Sequence, residues 1–205
     1  RETRGRWSVN WRLAGAGLAL GIGAGNHLTI LALAPCALFL LWGRKQASWR
    51  AAGLAALTFI LGSAVYLYLP WRAGQDPPIN WGNPASLQGL LWTVTGAPYR
   101  QFALGLPPEF LIGRIATWGQ LLLEQFNALG LFTGILGWLL LWGSHKRVFF
   151  FLLSLFLSIS VYSVTYNTTD SFVYLIPSLL VFSLCIGLGL YSLLVNQVAL
   201  WLAKM

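Results

Sequence analysis

Apolar residues come in long blocks, 13–42, 51–69, 128–142, 148–166 and Ser171–Val195, separated by short clusters of basic and turn-forming residues. Blocks of this length predict helices that cross a membrane, because roughly 20 apolar residues span a hydrocarbon core of about 30 Å. The first block is too long for one straight span: as a single helix it would reach about 45 Å. Asn26 and His27 interrupt it near the middle, and both flanks are basic, with Arg1, Arg4, Arg6 and Arg12 before it and Arg44, Lys45 and Arg50 after it. Positive charge on both flanks puts both ends on the cytoplasmic side. The pattern therefore predicts a hairpin of two short helices, 13–25 and 28–42, with its tip at Asn26-His27-Leu28-Thr29. A single tilted helix kinked at Pro35 is the alternative.

The block 51–69 ends in Tyr66, Tyr68, Pro70 and Trp71, an aromatic belt that predicts an outward crossing. From 70 to 127 the chain carries most of its prolines and three of its five acids. This stretch is expected to form an external loop with a short helix at 86–95 and an interfacial helix at 108–126 carrying Arg114, Gln120 and Glu124. The chain then returns inward over 128–142, stops at His145-Lys146-Arg147, goes out over 148–166 and comes back over 171–195 after the link Asn167-Thr168-Thr169-Asp170. The expected fold is an all-α polytopic membrane protein of about six transmembrane or half-membrane helices, built as one membrane bundle over 1–205.

Composition agrees with this and excludes other classes. Of the 205 residues, 57% are apolar and 9% charged, against roughly 45–50% and 25% in soluble domains. The 22 glycines and 11 tryptophans suit membrane helices, which favour small residues at contacts and indoles at interfaces. A net charge of +8 could indicate nucleic acid, yet ten of the thirteen Lys and Arg residues fall in the short segments expected inside. They set topology, and no nucleic-acid partner is expected. Arg72, Arg100 and Arg114 are the three expected outside. Cys36 and Cys185 lie in apolar runs without metal-ligand spacing and read as buried small hydrophobes. No Walker loop, dinucleotide fingerprint, zinc spacing or Ser-His-Asp arrangement is present, so neither metal nor cofactor is expected. The first residue is Arg, which predicts a piece of a longer polypeptide.

Candidate chemistry concentrates in Leu69-Pro-Trp-Arg-Ala-Gly-Gln-Asp-Pro-Pro-Ile-Asn-Trp-Gly-Asn-Pro84. Four prolines and two glycines argue against regular helix there. Arg72, Asp76, Asn80 and Asn83 supply charge and hydrogen bonds beside the indoles of Trp71 and Trp81, a composition suited to a sugar or phosphorylated headgroup. Arg makes forked contacts to phosphate, and an aromatic face can stack on a sugar ring. The plainer alternative is a rigid capping loop with Asp76 paired to Arg72. A second group is Gly25-Asn26-His27-Leu28-Thr29, where His27 could bind phosphate or move a proton, or Asn26 could cap a helix while His27 bonds a carbonyl. Tyr99 and Arg100 could bring a second cation to the external site or simply anchor at the interface. Asp170 could face the same cavity or N-cap the last helix.

At these residues the sequence resembles a known family. Tyr68-Leu-Pro-Trp-Arg72, Asp76-Pro-Pro-Ile-Asn-Trp-Gly-Asn-Pro84, Val94-Thr-Gly with Tyr99-Arg100, the earlier Gly25-Asn26-His27-Leu28-Thr29 with Pro35, and Tyr166 to Asp170 followed by Tyr174 and Pro177 are similar to a bacterial polytopic membrane family of unknown function. Its animal relatives include the transmembrane protein O-mannosyltransferase. The resemblance implies a GT-C type glycosyltransferase that moves a sugar from a polyprenyl-phosphate donor to a protein or glycan acceptor outside the membrane, and it implies residence in a bacterial inner membrane. It further implies that this chain is the C-terminal part of the membrane region, since the family's acidic Gly-Asp-Ser-Gly-Glu-like motif lies upstream of anything present here; the fragment alone is then expected to be inactive. Asp76 is the candidate catalytic carboxylate. Asn26, His27, Arg72, Asp76, Asn80, Trp81, Asn83, Tyr99, Arg100 and Asp170 are the candidate substrate-binding residues. Two other classes stay open: a transporter fragment whose broken hairpin lines a midplane site, and a noncatalytic lipid-binding or assembly subunit.

Overall fold

The structure, a computed structural model, describes residues 2–41 and 48–202, with side chains described over 10–41 and 48–195. The expected hairpin end at Trp42, and Arg1, Arg44 and Lys45, lie outside them. Every regular element among the described residues is helical: α1 (Glu2–Ala24), α2 (Leu33–Leu41), α3 (Trp49–Ser63), α4 (Tyr68–Ala73), α5 (Leu87–Val94), α6 (Pro108–Ser144), α7 (Lys146–Thr165) and α8 (Ile176–Leu202), with 3-10 turns at Leu28–Ala32, Ala64–Leu67, Ala97–Phe102 and Ser171–Leu175. Four of the described segments are long and apolar enough to cross a membrane: Trp49–Ala73, Pro108–Ser144, Lys146–Thr165 and Ser171–Val195. The protein is thus an all-α membrane protein. Its chain folds as two units, one made of 1–35 and 41–100, the other of 36–40 and 101–205.

In the first unit the pairing of α1 with α3 dominates. Between lipid-solvated helices there is no hydrophobic drive to associate, so close packing of small residues and interhelical hydrogen bonds must hold them. Gly17 and Gly21 of α1 lie against the backbone carbonyls of Ala55 and Phe59, and Gly62 of α3 lies against that of Leu18. No side chain larger than hydrogen fits at these crossings. Thr58 Oγ1 donates across the contact to Ala14 O at 2.7 Å, and Ala14 and Ala51 are buried. Leu57, Ile60 and Leu61 project from α3 at 54–65% exposure, which suits a lipid-facing side and would be costly in water.

The first apolar block breaks where the polar pair predicts. α1 ends at Ala24, and His27 adopts an extended backbone (φ −154°, ψ 129°) as the N-cap of the 28–32 turn. A continuous helix kinked only at Pro35 is therefore excluded. Two details differ from expectation. α1 starts at Glu2, well before residue 13, and its helical partner is α3, while residues 36–40 of α2 belong to the second unit. Hydropathy locates a break in a helix but carries no information on which helix the chain will meet next. Helix also persists further than the prolines suggest: α4 carries Pro70, Trp71 and Arg72. Pro70 sits in the first turn, where its missing N–H leaves no bond unmade.

The second unit packs α6, α7, α8 and the 171–175 turn. Within α6, Asn127 leaves helical geometry (φ 52°, ψ −178°), so the element is two helices meeting at a kink. The Asn127 side chain accepts from Leu129 N at 2.9 Å and Gly130 N at 3.2 Å, capping the second of them. The break lies between the expected segments 108–126 and 128–142. α6 and α8 approach through Gly137 against the Cys185 carbonyl and Gly189 against the Thr133 carbonyl. Rings fill the seam around this contact: Trp118 and Trp138 stand edge-on to Phe156 at 5.6 and 6.2 Å, and Phe126 lies 5.3 Å from Phe182. Buried serines join α7 to the last helix, Ser160 Oγ donating to Ser178 Oγ at 3.3 Å and Ser178 Oγ to Phe156 O at 3.1 Å. Both cysteines are buried and free, as expected of small apolar side chains.

Candidate functional site

Nine of the ten candidate residues lie in the first unit, and Asp170 lies in the second. The tip of the broken first block is held locally. Tyr66 OH donates to Ala24 O at 2.5 Å, satisfying a carbonyl at the end of α1. Gly25 rests against the Val65 side chain, and Gly96, in a left-handed conformation (φ 60°), faces the Leu28 side chain. These contacts bring the Asn26-His27 turn beside the 3-10 turn that leads into α4 and beside the segment leading to Tyr99 and Arg100. Arg72 follows Tyr66 by six residues on the same helical run.

His27 Nδ1 accepts from Thr29 N at 3.3 Å and lies 2.8 Å from Thr29 Oγ1. The capping residue of the tip is thus His27, and the alternative in which Asn26 caps does not hold. An imidazole can accept the turn's orphan N–H as an Asn does, and His27 occupies the position where that N–H points. Nδ1 is committed to the turn, so contact beyond it would come through Nε2. Asn26 and His27 are both exposed.

In the proline-rich segment the expected Arg72–Asp76 pair does not form. Arg72 Nη1 donates instead to Gln75 Oε1 at 3.0 Å, three residues along and within reach from the last turn of α4. Asp76 takes a left-handed conformation (φ 49°) as the chain leaves the helix and is exposed. Asn80 Nδ2 donates to Asn83 Oδ1 at 3.2 Å, tying the Pro78–Pro84 turn to itself. Asn83 and Gly82 also have positive φ, 43° and 70°, and Gly82 packs on the Trp92 ring, where no Cβ could fit. The indoles of Trp71 and Trp81 are 63% and 62% exposed, and Tyr99 is 50% exposed. Arg100 is exposed on the 97–102 turn. The candidate residues of the segment thus present two cations (Arg72, Arg100), one carboxylate (Asp76) and two primary amides (Asn80, Asn83) beside the rings of Trp71, Trp81 and Tyr99. The helix expected over 86–95 is α5, opened by Ser86 Oγ accepting from Gly89 N at 3.1 Å.

Asp170 holds the N-cap position of the 171–175 turn, but its side chain makes no capping bond; the capping role considered for it is corrected. Arg114 is the residue in this unit that sequence reasoning passed over, taken there as one polar member of an interfacial helix. Its guanidinium donates through Nη2 to Thr168 O at 2.7 Å and through Nη1 to Ser171 Oγ. The available signal was a lone Arg inside Phe-Leu-Ile-Gly-Arg-Ile, since a charge amid apolar residues of a membrane helix needs a partner. Tyr166 is the second such residue. It is 3% exposed and packs against Tyr174 at 5.0 Å, Tyr162 at 5.2 Å and Phe102 at 6.1 Å. It is a packing group at the end of α7. The segment before α6 is stitched to the same place by Leu106 N donating to Thr165 O at 3.1 Å and Asn167 N to Phe102 O at 2.9 Å. Among the described residues no group of three or more His, Cys, Asp or Glu could hold a metal ion.

The chain matches no protein-family model, no curated protein and no solved structure.

Proposed function

We propose that this chain is part of an integral-membrane glycosyltransferase of the GT-C type, moving a sugar from a polyprenyl-phosphate donor to a protein or glycan acceptor. The observation that supports this reading most is the 70–100 segment, where Arg72 and Arg100 have no carboxylate partner among the described residues and stand with exposed indoles and amides. Cations not neutralised by the protein attract the phosphate of a lipid donor, while ring faces and amides suit a sugar. In the transfer, the acceptor hydroxyl oxygen bonds to the anomeric carbon as that carbon's bond to the phosphate oxygen breaks. Asp76 takes the hydroxyl proton, and Arg72, Arg100 and His27 stabilise the departing lipid phosphate. Asn26, Asn80, Trp81, Asn83 and Tyr99 orient the sugar. In this reading the chain makes six passes in a bacterial inner membrane, with 70–127 external.

The test is transfer from a labelled polyprenyl-phosphate sugar by the native gene product reconstituted in liposomes. Formation of a labelled acceptor supports the proposal, and its absence across donor sugars removes it. The interruption of the first apolar block at Gly25–His27 is the one feature that favours transport instead, because discontinuous helices line transporter sites. Sugar accumulating unmodified inside the same liposomes would select that reading.

Orientation has its own test. Cysteines introduced at Gln75 and Thr169 are expected to react with a membrane-impermeant maleimide added outside intact cells, and one at Ser144 only after lysis. Protection at Gln75 with labelling at Ser144 would invert the topology and with it the side on which transfer occurs.

A further inference from the structure

We infer that Arg114 is the centre of a phospholipid-headgroup site in the second unit, taking the phosphate of a lipid at the membrane surface. The depth of its charge follows from what it holds. Thr168 sits on the short link between Lys146–Thr165 and Ser171–Val195, two segments that each suffice to cross the membrane, and Ser171 opens the second of them. So short a link between two spans lies at the hydrocarbon boundary. The guanidinium bound to both Thr168 O and Ser171 Oγ is therefore fixed at the level of lipid phosphates, six residues or about 9 Å along α6 from Pro108. Ser163 Oγ donates to Ser171 O at 2.7 Å, which stiffens the link against which the guanidinium rests.

The charge at this point is uncompensated. Both partners of Arg114 are neutral, and among the described residues no carboxylate pairs with it. Glu124 accepts from Gln120 Nε2 at 2.7 Å within α6, Glu109 is exposed in the first turn of α6, and Asp170 is exposed on the link. Arg114 is half-buried, and of the five donors on a guanidinium the two named bonds use two. A partly desolvated cation with unspent donors at phosphate depth matches a phosphate oxygen pair, which a guanidinium binds through parallel bonds. A second deficit lies on the same residue whose carbonyl the guanidinium holds: Thr168 Oγ1 is buried with no hydrogen-bond partner, and a headgroup oxygen bound at Arg114 could supply one. Asp170 on the same link disfavours a strongly anionic ligand and is compatible with a phosphodiester. This inference stands on the second unit and is independent of the sugar-transfer reading.

The purified protein in detergent is titrated with dioctanoyl phosphatidylglycerol, dioctanoyl phosphatidylethanolamine, dioctanoylglycerol and inorganic phosphate, with bound ligand counted by native mass spectrometry. Saturable binding of the two phospholipids but not of dioctanoylglycerol is expected. Arg114→Gln should weaken it by roughly tenfold or more, the scale of a charge-assisted bond, and Arg114→Lys should recover part of the loss. Inorganic phosphate binding as tightly as the lipids would overturn a lipid site in favour of a free-phosphate site. Dioctanoylglycerol binding equally well would overturn the phosphate contact altogether. If Arg114→Gln fails to fold, Thr168→Val decides: it leaves the backbone carbonyl in place, and an affinity unchanged from wild type would overturn the site.

Discussion

Valine at position 137 is expected to leave the protein unable to assemble its second unit. Gly137 faces the backbone of Cys185, where a Cβ would overlap the carbonyl oxygen and lie 2.7 Å from the carbonyl carbon and 3.0 Å from Cα. Backbone cannot yield as a side-chain tip can, so α6 and α8 would have to part. Parting them also opens the contact of Gly189 with the Thr133 carbonyl and that of Gly134 with the Phe182 ring, and it uncovers Thr133 and Cys185, which are 1% and 0% exposed. In a bilayer this close packing is itself the association energy, because lipid solvates separated apolar helices almost as well as they solvate each other. The expected destabilisation is about 3 kcal/mol or more, the range of severe overpacking. It should appear as loss of the monodisperse peak in detergent chromatography and a lowered melting midpoint. Gly143→Ala and Gly187→Ala are the matched controls, since a Cβ at either meets nothing within 4 Å; they should stay within about 1 kcal/mol of wild type. A Gly137→Val protein that melts with the wild type would show that the α6–α8 crossing is not the contact described.

Replacing Arg72 by alanine in the native gene product is expected to reduce sugar transfer by one to two orders of magnitude with expression and topology intact. The side chain spends one bond on Gln75, a local, exposed and neutral partner, and its removal breaks only that bond. Its loss should therefore appear in donor binding and not in folding. A charge-assisted bond to phosphate contributes on the order of 1.5–3 kcal/mol, which converts to that range of affinity. Asp76→Asn separates the roles: it keeps the size and removes the base, so turnover should fall with little change in the donor concentration needed for half-maximal rate. Equal transfer by wild type and both variants would remove this segment from the reaction.

Much of the architecture was legible in the order of apolar blocks. Turns at Gly25–His27 and at 166–170 fall where polar residues interrupt or bound those blocks, and α5 begins just after Ser86, whose hydroxyl in front of an apolar run is a helix-start signal. Less legible was the persistence of helix through Pro70 to Ala73, because proline stops a helix or opens one according to its place in the turn. The candidate site divides in the same way. That Arg72, Asp76, Asn80 and Asn83 share a polar, turn-rich segment follows from their spacing. That Arg72 bonds Gln75 and not Asp76, and that His27 and not Asn26 caps the tip, follows from local geometry at single residues.

The sequence by itself determined that the chain lives in a membrane, that it is helical, and where its apolar segments are interrupted, because those properties follow from the transfer of each residue between water and hydrocarbon and are nearly additive along the chain. Only the tertiary structure decided that α1 takes α3 as its partner, that Gly137 and Gly189 mark a backbone contact while Gly143 and Gly187 mark none, and that Arg114 reaches residues 54 and 57 positions away. Each of these depends on which faces meet once the helices are side by side. In a medium that solvates every apolar face alike, that choice rests on the fit of small residues and on a few hydrogen bonds, and neither carries a periodic signature in the sequence.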